Sequence, residues 1–173
     1  MRLIGLAGWS GSGKTTLIAA LIPMLVGRGY TVSTVKHAHH AFDVDTPGKD
    51  SYVHRQAGAH EVLVASENRW ALMHEHRGLP EPGLPTLLAR LEPVDLVLIE
   101  GFKRDPHPKI EVHRTEVGQP LLFPGDVHIV AIASTPPISN APIPQVDLDD
   151  VEAIADLIER YAAPMDAVRW ETA

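Results

Sequence analysis

Apolar positions along this chain come in short unbroken runs separated by longer periodic stretches. Leu3-Ile4-Gly5-Leu6-Ala7 predicts a strand, and Tyr30-Thr31-Val32-Ser33-Thr34-Val35, rich in β-branched residues, predicts a second. Leu96-Val97-Leu98-Ile99 and Ile129-Val130-Ala131-Ile132-Ala133 show no alternation, the pattern of strands buried on both faces. Lys109-Ile110-Glu111-Val112-His113 does alternate and predicts a half-exposed strand. Glu61–Ala65 and Arg69–Met73 read as two strands joined by a tight turn at Glu67-Asn68.

Between the first two strands, Leu17, Ile18, Leu21, Ile22 and Leu25 fall on one face of a helix closed by Gly27 and Gly29, with a kink or break expected at Pro23. Short helices are expected over Ser51–Gln56, with Asp50 as N-cap, and over Pro85–Leu91. The last helix is expected to start at Asp149, paired with Glu152 in a capping-box pattern, with Val151, Ile154, Ile158 and Tyr161 facing the core. Strands alternating with helices predict an α/β fold: a mainly parallel sheet flanked by helices in three layers. With no internal repeat and no dividing linker, residues 1–163 are expected to form one domain, and 164–173 a loosely held tail.

Chemistry enters with Gly8-Trp9-Ser10-Gly11-Ser12-Gly13-Lys14-Thr15, a complete G-x-x-x-x-G-K-[ST] phosphate-binding loop between the first strand and the first helix. Glycines let successive N–H groups turn inward around a phosphate, and the helix N-terminus adds partial positive charge. Lys14 is expected to reach the outer phosphates and the Thr15 hydroxyl to ligate magnesium, which makes this a P-loop NTPase-type fold. Ligands in open α/β sheets gather at the carboxyl ends of the strands. Glu100, the first residue past Leu96–Ile99, is carried to that edge, to hold magnesium directly or through water, or to orient an attacking water; otherwise it is a solvated strand end. Asp95, at the opposite end, reads as structural.

Two further loops open near the same edge. Lys36 to Asp45 carries His37, His39, His40 and Asp43; it could touch nucleotide or substrate, hold a transition metal through imidazoles, or be a solvated polar loop. Phe102 to Lys109 carries Lys103, Arg104 and Lys109, suited to an anionic second substrate or else solvated. Trp9 is either exposed or stacked on a neighbour.

Composition narrows the classes. The net charge of −7 argues against nonspecific nucleic-acid binding, and no cysteine is present, which rules out disulfides and thiolate metal sites. No apolar run approaches a bilayer span, and Lys14 interrupts the apolar start, so neither membrane insertion nor a secretory signal is expected; a cytoplasmic location is compatible.

Taken together, the phosphate loop, Lys36-His37-Ala38-His39-His40-Ala41-Phe42-Asp43, the stretch Asp45–Tyr52, His54–Ala59, Leu98-Ile99-Glu100-Gly101-Phe102-Lys103 and Asp147–Val151 resemble the molybdopterin-guanine dinucleotide biosynthesis protein B (MobB) family. The resemblance implies a homodimeric, cytoplasmic accessory protein that binds GTP with Mg2+ and is at most a weak GTPase. It implies assistance to a MobA-type guanylyltransferase that joins GMP to molybdopterin in molybdenum-cofactor biosynthesis. Carried onto this chain, Gly11, Ser12, Gly13, Lys14, Thr15 and Thr16 would hold phosphates, Thr15 and Glu100 the metal, and Lys14 and Glu100 would serve any hydrolysis. The chain carries no N-K-x-D guanine-reading pattern; by analogy with relatives, the base would lie near Ala133–Pro137, at Ser134 and Thr135. Rival readings are a P-loop small-molecule kinase or ligase, and a metallochaperone GTPase using the histidine loop.

Overall fold

The computed structural model describes residues 1–38 and 42–170. In chain order the elements are β1 (Arg2–Ala7), α1 (Lys14–Gly27), β2 (Val32–Lys36), α2 (Asp50–Gln56), β3 (Glu61–Ala65), β4 (Trp70–His74) and α3 (Leu84–Leu88). There follow β5 (Leu96–Glu100), β6 (Lys109–Arg114), β7 (Ile129–Thr135), β8 (Gln145–Asp147), α4 (Val151–Tyr161) and β9 (Ala163–Pro164). They form two compact units, Met1–His37 with Leu84–Ala173, and Ala38–Gly83.

In the first unit the sheet order is β2-β5-β1-β6-β7-β8, every neighbouring pair parallel, with β9 antiparallel on β1. β5 lies between β2 and β1, and its apolar run Leu96–Ile99 is wholly buried, as an unalternating strand should be. One sheet face packs Ile4, Leu6, Leu98, Ile110, Val112 and Ala133 against Leu17, Leu21 and Leu25 of α1 and Ile154 and Ile158 of α4. The other packs Leu3, Val97 and Ile99 against Leu84 and Leu88 of α3 and against Val168. The result is the three-layer, mainly parallel α/β arrangement expected from the runs and stripes.

Several local expectations need correction. α1 runs through Pro23 to Gly27 without a break. Proline removes one bond, to the Ala19 carbonyl, and the fully buried Leu21 and Leu25 hold the last turns on the sheet. Asp50 lies inside α2, whose N-cap position is Lys49; Asp45 tethers that helix start instead, accepting from the Ser51 hydroxyl at 2.8 Å. α4 is capped by Asp150, which accepts from the Ala153 N–H at 2.9 Å, because Asp149 donates its own N–H to Asp147 and stays in the preceding turn. Pro164 pairs with Arg2 of β1 and Val168 is buried, so the described residues of this segment, 164–170, are docked and not loose.

The largest departure concerns β6, which is buried from Lys109 to His113 despite its alternation. The side chains of Lys109 and Glu111 are satisfied by loops that close over them. The Lys109 ammonium donates to the Asp105 carbonyl at 2.6 Å and to Asp126 Oδ2 at 3.0 Å, and Glu111 accepts the Leu122 and Phe123 N–H groups at 2.7 and 2.9 Å. Beside them His107 is fully buried, and neither ring nitrogen has a hydrogen-bond partner among the described residues. Burial, reinforced by the Lys109 charge, pushes its pKa down to about 3.

In the second unit β3 and β4 form an antiparallel hairpin in which Leu63 faces Leu72 and Ala65 faces Trp70. Arg55 of α2 ties the unit together, bonding Asp43 at 2.7 Å and Glu75 at 3.1 Å and lying 3.5 Å from Asp45 Oδ2.

A histidine held neutral in the folded state must be protonated on unfolding once the pH drops below its ordinary value of about 6.5. Its contribution is therefore complete above 6.5 and lost as pH falls towards about 3. Urea denaturation should show a loss of about 2 kcal/mol between pH 7 and pH 5 from this group, at about 1.4 kcal/mol per pH unit below 6.5. In His107→Gln that slope should flatten.

Candidate functional site

β1 ends at Ala7, the loop 8–13 follows, and α1 begins at Lys14. No side chain caps α1 and no acidic residue of its own stands in its first turn, so no side chain takes up the N–H groups at the helix start. Gly8 is pressed against the sheet: a methyl group there would lie 2.5 Å from the Val112 carbonyl oxygen and 2.7 Å from Ser12 Oγ. Ser12 is buried and its hydroxyl has no partner among the described residues. Lys14 folds back along the loop, donating to the carbonyls of Gly8 at 3.0 Å and Trp9 at 2.8 Å.

Register explains why Glu100 meets this loop. β1 and β5 pair with Leu6 opposite Glu100, so the acid projects where the loop departs. The Thr15 hydroxyl donates to Glu100 Oε1 at 3.0 Å. Lys36, at the end of β2, lies opposite Glu100 on the other side and places its ammonium 3.4 Å from both Glu100 Oε2 and Thr15 Oγ1. Burial lowers the pKa of Lys14; the nearby Glu100 carboxylate opposes that, while the charges of Lys103 and Lys36 add to it. A hydroxyl and a carboxylate within hydrogen-bond distance are hard oxygen donors, the set magnesium takes alongside phosphate oxygens. These residues fit that cation.

Behind Glu100 the backbone is tightly wound. Gly101 has φ +92 and Phe102 φ +49, consecutive left-handed residues of which the second carries a full side chain. The His37 N–H donates to the Glu100 carbonyl at 2.8 Å, and its ring stacks on Phe102 with centroids 4.7 Å apart. Trp9 is not left exposed: its indole N–H donates to the Pro120 carbonyl at 2.7 Å, and the Lys103 ammonium sits 4.6 Å from its ring centre.

The structure thus gathers Ser12, Gly13, Lys14, Thr15 and Glu100 into one site, with Gly11 and Thr16 exposed on the same loop and helix start. Ser134 and Thr135 end β7, two strands from β1. The Ser134 hydroxyl is buried without a partner among the described residues, and the Thr135 hydroxyl donates to Asp147 at 3.0 Å. Neither bonds residues 8–16 among the described residues. Asp43 is engaged by Arg55 within the second unit, and its pKa is lowered by the Asp45 N–H and by that guanidinium. His39 and His40 lie outside the described residues, so the histidine-loop metal reading is tested only at His37 and Asp43; among the described residues no three His, Asp or Glu side chains are arranged to hold a metal ion.

Two residues escaped the sequence reading. Arg114 ends β6 opposite Thr135 and reaches the loop: a methyl group on Gly13 would lie 3.4 Å from Arg114 Nε. Its place at a strand's carboxyl end was the available signal. Lys36 was visible as the residue after Val35, at the matching edge of β2, yet its pairing with Glu100 needs the strand order.

A phosphate loop with a hydroxyl and a carboxylate brought together by adjacent parallel strands defines a P-loop-type α/β protein. The chain belongs to the MobB family: the model described as "Molybdopterin guanine dinucleotide synthesis protein B" matches residues 3–135. It is 45% identical over 162 residues to the molybdopterin-guanine dinucleotide biosynthesis adapter protein of Escherichia coli (strain K12), covering 92% of each chain. The adapter protein of that name from Haemophilus influenzae is 42% identical, with 92% of this chain and 88% of the relative covered. Among solved structures, Bacillus subtilis MobB superposes with a TM-score of 0.74 at 26% identity, over 94% of this chain and 98% of that one.

Gly101 should tolerate no side chain, since a methyl group would come within 2.7 Å of His37 Cβ at a left-handed φ. Gly101→Ala should cost about 1–3 kcal/mol, read as a lowered urea midpoint at unchanged m-value.

Proposed function

We propose that this chain is a guanine-nucleotide-binding adapter of molybdopterin-guanine dinucleotide biosynthesis, serving a MobA-type guanylyltransferase that joins GMP to molybdopterin. The observation that carries the reading is the 3.0 Å contact between Thr15 and Glu100 beneath an intact phosphate loop, in a chain of this family. The amides of Gly11, Ser12, Gly13, Lys14, Thr15 and Thr16 would cradle the phosphates of GTP, and Lys14 would swing from the Gly8 and Trp9 carbonyls to the outer phosphate oxygens. Thr15 and Glu100 would hold Mg2+, which when bound spreads the charge of those oxygens over a divalent ion. Ser134 and Thr135 are assigned to the base side. Glu100 is already shared between Thr15 and Lys36, which leaves it a poor base for water and favours slow hydrolysis at most. We place the adapter in the cytoplasm; no helix among the described residues is long and apolar enough to cross a membrane. Nothing in the comparisons points to a kinase, a ligase or a metallochaperone.

The second unit favours a homodimer. Leu63, Trp70 and Leu72 stand on one face of the hairpin and are 61%, 59% and 42% exposed, while Val62 on the other face is buried. A two-stranded sheet with one apolar face in water is marginal by itself and gains from a second copy.

Calorimetry with Mg2+ should show GTP bound in preference to ATP. Lys14→Ala removes a charge-assisted phosphate contact worth about 1.5–3 kcal/mol, so affinity should fall by roughly 10- to 150-fold. ATP binding as tightly as GTP would remove the guanine assignment. For the dimer, sedimentation equilibrium of Leu72→Lys should report monomer at concentrations where the unaltered chain is dimeric.

A further inference from the structure

We propose that Lys103, carried on the loop behind Glu100 and seated on the Trp9 ring, grips the terminal phosphate of a bound nucleoside triphosphate and so makes the site distinguish triphosphate from diphosphate. The inference rests on the nucleotide reading above.

Four observations lead to it. First, the path of the chain is unusual: Gly101 and Phe102 are both left-handed, and the Asp105 N–H closes a turn on the Phe102 carbonyl at 3.1 Å. This turn sends the residue after Phe102 back towards the phosphate loop, at the cost of holding Phe102 at φ +49. Second, the seat is fixed. Trp9 is itself a loop residue, and its indole N–H is anchored to the Pro120 carbonyl at 2.7 Å, so the ring under the Lys103 ammonium cannot turn freely. An aromatic face holds an ammonium while leaving its N–H groups to donate elsewhere, which suits a cation kept ready for a ligand.

Third, position along the loop selects which phosphate is met. Lys14, the residue that reaches the outer phosphates in loops of this kind, places its ammonium 2.8 Å from the Trp9 carbonyl. Because Lys14 leaves that carbonyl to reach the outer phosphates, Trp9 lies within the sweep of its side chain from that end of the phosphate chain. A cation held on Trp9 is then placed to meet the last phosphate. Fourth, the charges do not balance within the protein. Lys14, Lys36 and Lys103 all act on this spot, since the latter two both lower the proton affinity of the first, and Glu100 is the one carboxylate raising it. With Lys36 3.4 Å from Glu100, Lys14 on the Trp9 carbonyl and Lys103 on the Trp9 ring, the local excess of positive charge suits an anion of more than one negative charge.

Lys103 then differs in task from Lys14. Lys14 serves both outer phosphates, so its loss weakens triphosphate and diphosphate alike. Lys103 engages only when a third phosphate is present, and stays on Trp9 otherwise.

The test is calorimetric titration of the full chain in Mg2+ with GDP and with the β,γ-imido analogue of GTP. Lys103→Met, which keeps the stem but removes the charge, should weaken the analogue by about tenfold and change GDP by less than twofold. Lys103→Arg should restore the analogue to within about threefold, and Trp9→Ala should give a smaller loss confined to the analogue. Lys14→Ala, as the control, should weaken both ligands. If Lys103→Met weakens both nucleotides equally, or neither, while Lys14→Ala still weakens both, this proposal is overturned and the nucleotide site stands. If the unaltered chain binds neither nucleotide, both are overturned together.

Discussion

Leu6 and Glu100 face each other across β1 and β5, and most of the site follows from that one pairing. A parallel neighbour in this register ends its strand level with the departure of the phosphate loop. An acid at the end of β5 must then face the first turn of α1, and the Thr15 hydroxyl lies 3.0 Å from it. β2 on the far side of β5 repeats the logic, since its last residue, Lys36, is level with Glu100 as well. Carboxylate and ammonium are thus aligned by backbone ladders, and the hydroxyl is brought to them by the start of α1. The wholly buried Leu96–Ile99 run makes this alignment costly to disturb, because a one-residue slip would draw a charged strand end, Asp95 or Glu100, into the buried layer and carry Glu100 away from Thr15.

On the other side of β1 the sheet solves a different problem. β6 carries Lys109, Glu111 and His113 on the face where α3 packs over β1 and β5, and at β6 itself loops do the covering. A loop can cover polar side chains only if its own backbone groups find partners, and here they do so with those side chains. Glu111 takes the Leu122 and Phe123 N–H groups, and Lys109 takes the Asp105 carbonyl. The arrangement also fixes the functional loops. Glu111 anchors the segment whose Pro120 carbonyl holds Trp9, and Lys109 anchors the loop that carries Lys103. Burial of an ionic strand in the core's second face is therefore part of how the phosphate loop is framed.

Features written in consecutive residues were legible in the sequence. The phosphate loop is a local motif, and an apolar run ending in Glu100 places its acid by strand geometry alone. The fold class followed from runs alternating with stripes. What could not be read depended on partners distant in the chain. Alternation in Lys109–His113 ordinarily signals one wet face, and the residues that dry it, Asp126 and Leu122, lie beyond the strand. The α4 cap is a local ambiguity instead: Asp149 and Asp150 are chemically equal candidates, and Asp147, by taking the Asp149 N–H, decides between them. Trp9 offered no account until Pro120 and Lys103 appeared beside it. Pro23 misled for a related reason: the rule for isolated helices was overridden by the burial of Leu21 and Leu25.

A chain with net charge −7 gathers three lysines about its phosphate loop, and the two facts are compatible because they act over different distances. At physiological salt a charge is screened over about 8 Å, so the excess of carboxylates elsewhere on the surface contributes little at the loop. Within that radius the local groups decide: amides at an uncapped helix start, and Lys14, Lys36 and Lys103 against Glu100. Such a site gains little from long-range attraction and relies on directed donors at contact. A ligand for such a site would have to match its oxygens to those donors in number and spacing, as a phosphate chain can. Selectivity by geometry over charge is also what an adapter requires if it is to hold one nucleotide without collecting other anions.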